Sequence, residues 1–92
     1  MSAPRELRSI GQNIFITHFE TFTLLRNRKN IARFCVENGI SNEVGAAIRA
    51  SYMEKVLKDN DLLRECLTYI RERGRNTAHA EKAGKLLDQF NG

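Results

Sequence analysis

The chain has 92 residues and a formal net charge of +4, with 41% hydrophobic and 28% charged residues, one proline and six glycines. This composition excludes fibrous and disordered classes, and a chain this short builds one modest core that buries roughly 60–65% of the surface exposed on unfolding. No apolar run exceeds three residues, so the sequence holds neither a membrane span nor a signal-peptide core, and a cytoplasmic location is expected.

Met1 to Pro4 reads as a loose lead-in, with Pro4 at a first helical turn, where its missing N–H costs nothing. The first helix begins near Arg5. Its apolar residues Leu7, Ile10, Ile14, Phe15, Phe19, Phe22 and Leu25 recur at three- and four-residue steps and so share a broad face. Ile14 to Thr17 and Thr21 to Thr23 are rich in β-formers, yet the polar residues between them do not alternate, which favours one helix ending around Thr23 to Arg26. Ile16 and Leu24 fall off its apolar face. Asn27 to Asn30 reads as a polar, basic connection.

Ile31 to Glu37 forms the next helix, which Gly39 stops. After Ser41, the pattern Val44, Ala47, Ile48, Ser51, Tyr52 and Val56 predicts a longer helix, with Glu43 at its positive end and Lys55 and Lys58 at its negative end. Asp59-Asn60-Asp61 caps a helix over 62–73, striped by Leu62, Leu63, Cys66, Leu67, Tyr69 and Ile70 and ended by Gly74. Asn76 or Thr77 caps a last helix through Ala83, Leu86, Leu87 and Phe90, closed by Asn91-Gly92. Gly84 within it costs roughly 1 kcal/mol relative to alanine. The expectation is an all-α single domain, 1–92, of about five helices with short connections.

Residues Asn30 to Met53 have the form of a helix-turn-helix. Gly39 adopts a left-handed conformation freely, and the Ser41 hydroxyl is placed to cap the following helix. Cys35, four positions before Gly39, is small enough to let two helices approach, while Phe34, Ile40 and Ile48 anchor them. The chain departs from the usual pattern at Gly45 and Asn38, where apolar residues are commoner. Among the early exposed positions Ser41, Asn42, Glu43, Ala46, Arg49 and Ala50, only Asn42 and Arg49 suit base reading. Arg26, Arg28, Lys29 and Arg33 are placed ahead of them to grip phosphates. These six residues, Arg26, Arg28, Lys29, Arg33, Asn42 and Arg49, form the expected nucleic-acid site. The charge distribution agrees: residues 1–33 hold six basic and two acidic side chains, 34–65 four and six, and 66–92 five and three.

Gly45, Ala46, Ala47, Ala50 and Ser51 make a helix surface of little bulk, which suits either close packing against the phenylalanines of the first helix or a self-complementary dimer contact. Farther on, Arg71-Glu72-Arg73-Gly74-Arg75-Asn76-Thr77-Ala78-His79 sets a basic cluster ahead of a histidine. The spacing of Arg73 and His79 resembles the Arg-x(4–6)-His element of the HEPN-type helical ribonucleases. That resemblance implies an arginine stabilising phosphate charge and a histidine moving a proton. Gly74, a helix breaker inside the element, departs from it.

Cys35 and Cys66 sit in apolar helical patterns and read as buried thiols. The two cysteines and two histidines lack zinc-ligand spacing, Asp59-Asn60-Asp61 lacks the rest of a calcium loop, and no phosphate-binding glycine loop or nucleophile elbow occurs. No metal, cofactor, small-molecule substrate or membrane is expected. The leading functional expectation is a small, non-enzymatic regulatory or accessory protein that binds duplex DNA as a homodimer. The alternatives are a helical module binding an acidic or apolar protein surface, and a HEPN-like ribonuclease.

Overall fold

The computed structural model describes residues 2–91, which contain seven α-helices and no strand. They are α1 (Arg5–Ile10), α2 (Gln12–Thr17), α3 (Phe19–Leu25), α4 (Arg28–Glu37), α5 (Glu43–Lys58), α6 (Asn60–Arg73) and α7 (Thr77–Asn91). Met1 of the lead-in and the closing Gly92 lie outside the described residues. Pro4, expected to be loose, is buried, and its carbonyl accepts from the Arg8 amide at 3.1 Å.

The increase from five helices to seven comes from the first segment, which is three short helices. Gly11 takes φ 96° and ψ 119°, a conformation open to glycine but not to residues with a Cβ, and this turns the chain between α1 and α2. His18, at φ −107° and ψ 18°, makes a milder break, since it still donates to the Ile14 carbonyl at 3.1 Å and accepts from Phe22 at 2.9 Å. The bends turn the aromatic residues inward as a cluster. Phe15 meets Phe19 edge-on at 5.6 Å, and Phe22 meets Phe34 edge-on at 5.8 Å. Ile16 is therefore fully buried, contrary to its expected off-face position, while Leu24 is 85% exposed.

α3 ends in a γ-turn. Arg26 has φ 64° and ψ −50°, and the Asn27 amide donates to the Leu25 carbonyl at 2.7 Å. Asn27 then caps α4 by accepting from the Asn30 amide at 2.9 Å. That cap starts the helix at Arg28, so Arg28 to Asn30 are helical and not part of the connection expected from their polarity.

Between α4 and α5 the backbone forms a Schellman turn. Gly39, at φ 67°, donates to the Val36 carbonyl at 3.2 Å, and Ile40 donates to the Cys35 carbonyl at 2.9 Å. The cap of α5 is Asn42, which accepts from Gly45 N at 2.8 Å, and not Ser41. The helix begins at Glu43, so Asn42 is the flanking residue whose side chain reaches the third helical amide. The two helices lie alongside each other and run antiparallel: the Arg28 amide, at the start of α4, donates at 2.8 Å to Glu54 near the end of α5.

The buried stripe of α5 is Ala46, Ala50, Met53 and Val56. Ala46 and Ala50, expected as exposed, are thus core residues, whereas Val44 and Ile48 are 71% and 50% exposed. The reason is bulk: two alanines one turn apart let α5 close against α1 and α4, and branched residues there would hold it off. An ion pair of 2.6 Å from Lys55 to Glu6 also ties α5 to α1.

Asp59 caps α6 by accepting from Leu62 N at 3.1 Å, and Leu63, Cys66, Leu67 and Ile70 face the core. Asn76 caps α7 by accepting from His79 N at 3.1 Å. α7 runs unbroken through Gly84, packing Ala83, Leu86 and Leu87 inward. Both cysteines are free and buried; burial pushes the Cys66 thiol up to about 12 and raises that of Cys35. Among the described residues no helix is long and apolar enough to cross a membrane.

Candidate functional site

An open cleft of about 640 Å³ lies where the α1–α2 bend faces the α6–α7 connection. Gly11, Gln12, Asn13 and Ile14 form one side, Tyr69, Arg73, Arg75, Asn76 and His79 form the other, and Arg49 reaches in from α5.

Each part has a local cause. Gly11 turns the chain so that the carbonyl at the end of α1 points across at Arg49 rather than continuing a helix. The Arg49 guanidinium donates through Nη1 to that Ile10 carbonyl and through Nε to Ser41 Oγ at 2.8 Å. These bonds hold the side chain in a fixed place at the cleft wall. Arg73 belongs to the last turn of α6, where a cation suits the negative end of the helix dipole. Gly74 stops α6, Arg75 lies in the short loop that follows, and the Asn76 cap orients the first turn of α7, which carries His79.

Electrostatically the cleft is one-sided. Among the described residues three arginines and a histidine line it, and no carboxylate does. Arg73 and Arg75 form no ion pair among the described residues; nearby, Arg71 pairs with Glu72 at 3.4 Å outside the cleft. Unpaired cations around a concave surface focus a positive potential, which favours anions. The guanidinium groups and the amides of Gln12, Asn13 and Asn76 supply many donors, and Tyr69, partly buried against the core, borders them.

The six residues expected to bind nucleic acid do not converge. Arg49 lies in the cleft, without the other five. Arg28 and Lys29 come together beside Ala32, Ala47 and Ser51, and Arg33 lies one turn farther along α4 with Glu37 and Glu43. Arg26 borders a separate hollow with Leu57 and Phe90, and the side-chain oxygen of Asn42 is engaged in capping. The sequence marked Arg73 and His79 through their spacing, and here they line the same cleft despite Gly74 between them. Gln12, Asn13 and Tyr69 carried no such mark, since only the bend at Gly11 brings α2 opposite α6. No protein-family model, curated protein or solved structure matches the chain.

Proposed function

We propose that the protein binds nucleic acid through its phosphate backbone, with the strand seated in the basic cleft and no reaction carried out on it. The observation behind this reading is that Arg49, Arg73, Arg75 and His79 share one cleft lined, among the described residues, by no acidic side chain. Phosphates suit such a surface because guanidinium groups bind them with paired, charge-assisted hydrogen bonds. Tyr69 adds a ring on which an unpaired base can stack, which favours a single strand over a duplex at this position.

Fluorescence anisotropy with labelled single-stranded and duplex oligonucleotides over a salt series tests the reading. Affinity is expected to fall steeply with salt, and Arg73→Ala with Arg75→Ala is expected to weaken binding and flatten the salt slope by roughly 0.7 per lost single-strand phosphate contact. The triple variant Arg26→Ala, Arg28→Ala, Lys29→Ala separates the cleft from the basic start of α4. No binding at low salt, or loss in the triple variant alone, refutes the cleft assignment. Because Arg73 and His79 share the cleft, RNA cleavage that disappears in His79→Ala would favour the ribonuclease reading over binding alone.

A further inference from the structure

We infer that the exposed side of the α4/α5 pair is the contact face of a homodimer, in which two such pairs meet antiparallel about a two-fold axis. The inference does not depend on the cleft, with which this face shares no residue.

α5 is apolar on both sides. Its inner stripe fills the core, yet Val44, Ala47, Ile48 and Ser51, at helical steps of three and four, form an outer stripe in solvent. Alongside on α4, Ala32 is shared by two adjoining hollows and Val36, one turn on, is 40% exposed. A surface helix gains nothing within its own chain from a second apolar stripe, and a contiguous patch of this kind marks an interaction site.

The charges at its two ends select the occupant. Arg28 and Lys29 stand at one end of the groove, and Glu37 and Glu43 stand at the other with Arg33 between them and the centre. One end therefore carries two positive charges and the other a net single negative charge. None of these five side chains forms an ion pair among the described residues; Glu54, which accepts from the Arg28 amide, has its own cation in Lys58 at 3.5 Å. A two-fold axis through the middle of the groove sets the basic end of each copy against the acidic end of the other, with the apolar centre closed between them. An isologous contact needs this self-complementarity, because each patch meets its own copy in reverse.

The 10 residues of α4 that border the groove give it a length of about 15 Å. With α5 roughly 10 Å to the side, the two helices present on the order of 300 Å² per copy, the size of a weak, reversible contact.

Sedimentation equilibrium of the whole chain from micromolar to millimolar concentration is expected to show monomer passing to dimer. Lys29→Glu alone cancels the charge of Arg28 and sets a carboxylate against the acidic end of the other copy, Glu43→Lys alone makes both ends positive, and each is expected to weaken the dimer by about tenfold. Mixing the two variants again sets opposite charges at positions 29 and 43 of the two copies and is expected to raise association well above that of either variant alone, an outcome peculiar to an antiparallel two-fold. Ile48→Asp, at a position that is 50% exposed, is expected to leave a monomer with an unchanged circular dichroism spectrum. A wild-type chain that stays monomeric at millimolar concentration overturns the inference, as does a mixture no better associated than either variant, or an Ile48→Asp dimer of unchanged strength.

Discussion

Gly11→Ala should weaken the fold by two routes that meet at Arg49. The native backbone at φ 96° and ψ 119° lies where residues with a Cβ are strained, at a cost of roughly 1–3 kcal/mol. A Cβ built there would also lie 2.8 Å from Arg49 Nη1, the group that donates to the Ile10 carbonyl. The guanidinium is the end of a flexible side chain and can withdraw, but withdrawal gives up a charge-assisted hydrogen bond worth roughly 1.5–3 kcal/mol, part of which water in the open cleft replaces. Together these give a loss of about 2–4 kcal/mol against a total of about 5–15 kcal/mol for a small domain. Urea unfolding followed by circular dichroism should show the midpoint falling by about 1–2 M. Gly39→Ala is the control: it shares a positive φ of 67°, but no atom lies within 4 Å of the added Cβ. It should cost only about 1–2 kcal/mol. If the second route operates, Gly11→Ala and Arg49→Ala are non-additive, with the double variant losing at least about 0.5 kcal/mol less than the two singles summed. A Gly11→Ala protein within about 0.5 kcal/mol of wild type, or strict additivity, refutes the reasoning.

Arg26→Gly relieves the γ-turn at φ 64° and should stabilise the protein by about 1 kcal/mol, read from the same urea curves; a destabilised variant would mean that the arginine side chain matters more than its strained backbone. The Glu6 carboxyl, hydrogen-bonded to the Lys55 ammonium, is held below its ordinary 4.5, so its contribution is present above that value and is lost as pH falls through the lower folded one. Glu6→Gln should therefore destabilise at neutral pH and converge on wild type in acid, and a difference that is the same at both pH values counts against the assignment. Buried and with raised thiol pKa values, Cys35 and Cys66 should resist iodoacetamide at neutral pH in the folded protein and react fully in denaturant; rapid labelling of the native state would contradict their burial.

Much of the architecture follows from sequence alone because its signals are local. A stripe such as Leu63, Cys66, Leu67 and Ile70 needs only helical periodicity to be recognised, and Gly39, Asp59 and Asn76 mark ends through backbone chemistry that acts within a few residues. The all-helical class and the positions of α5, α6 and α7 were legible for that reason. The division of the first segment was less so: an isolated glycine in a helical pattern is compatible with an unbroken helix, and only the positive φ of Gly11 turns it into a corner.

What the tertiary structure alone decided is which side of each element faces inward and which distant residues meet. In α5, Val44 and Ile48 and the pair Ala46 and Ala50 lie on opposing stripes, and periodicity admits either as the buried one. The choice falls to the alanines because α1 and α4 must come close, a requirement set by neighbours and absent from the helix's own pattern. The cleft is the same case at longer range. Arg49, Arg73 and His79 are scattered in the chain, and their gathering depends on a corner at Gly11 and a cap at Asn76, so charge counting along the sequence pointed instead to the contiguous run Arg26 to Arg33. Sequence fixes how strongly each residue can bind an anion, through its chemistry; position in space decides which of them act on the same one.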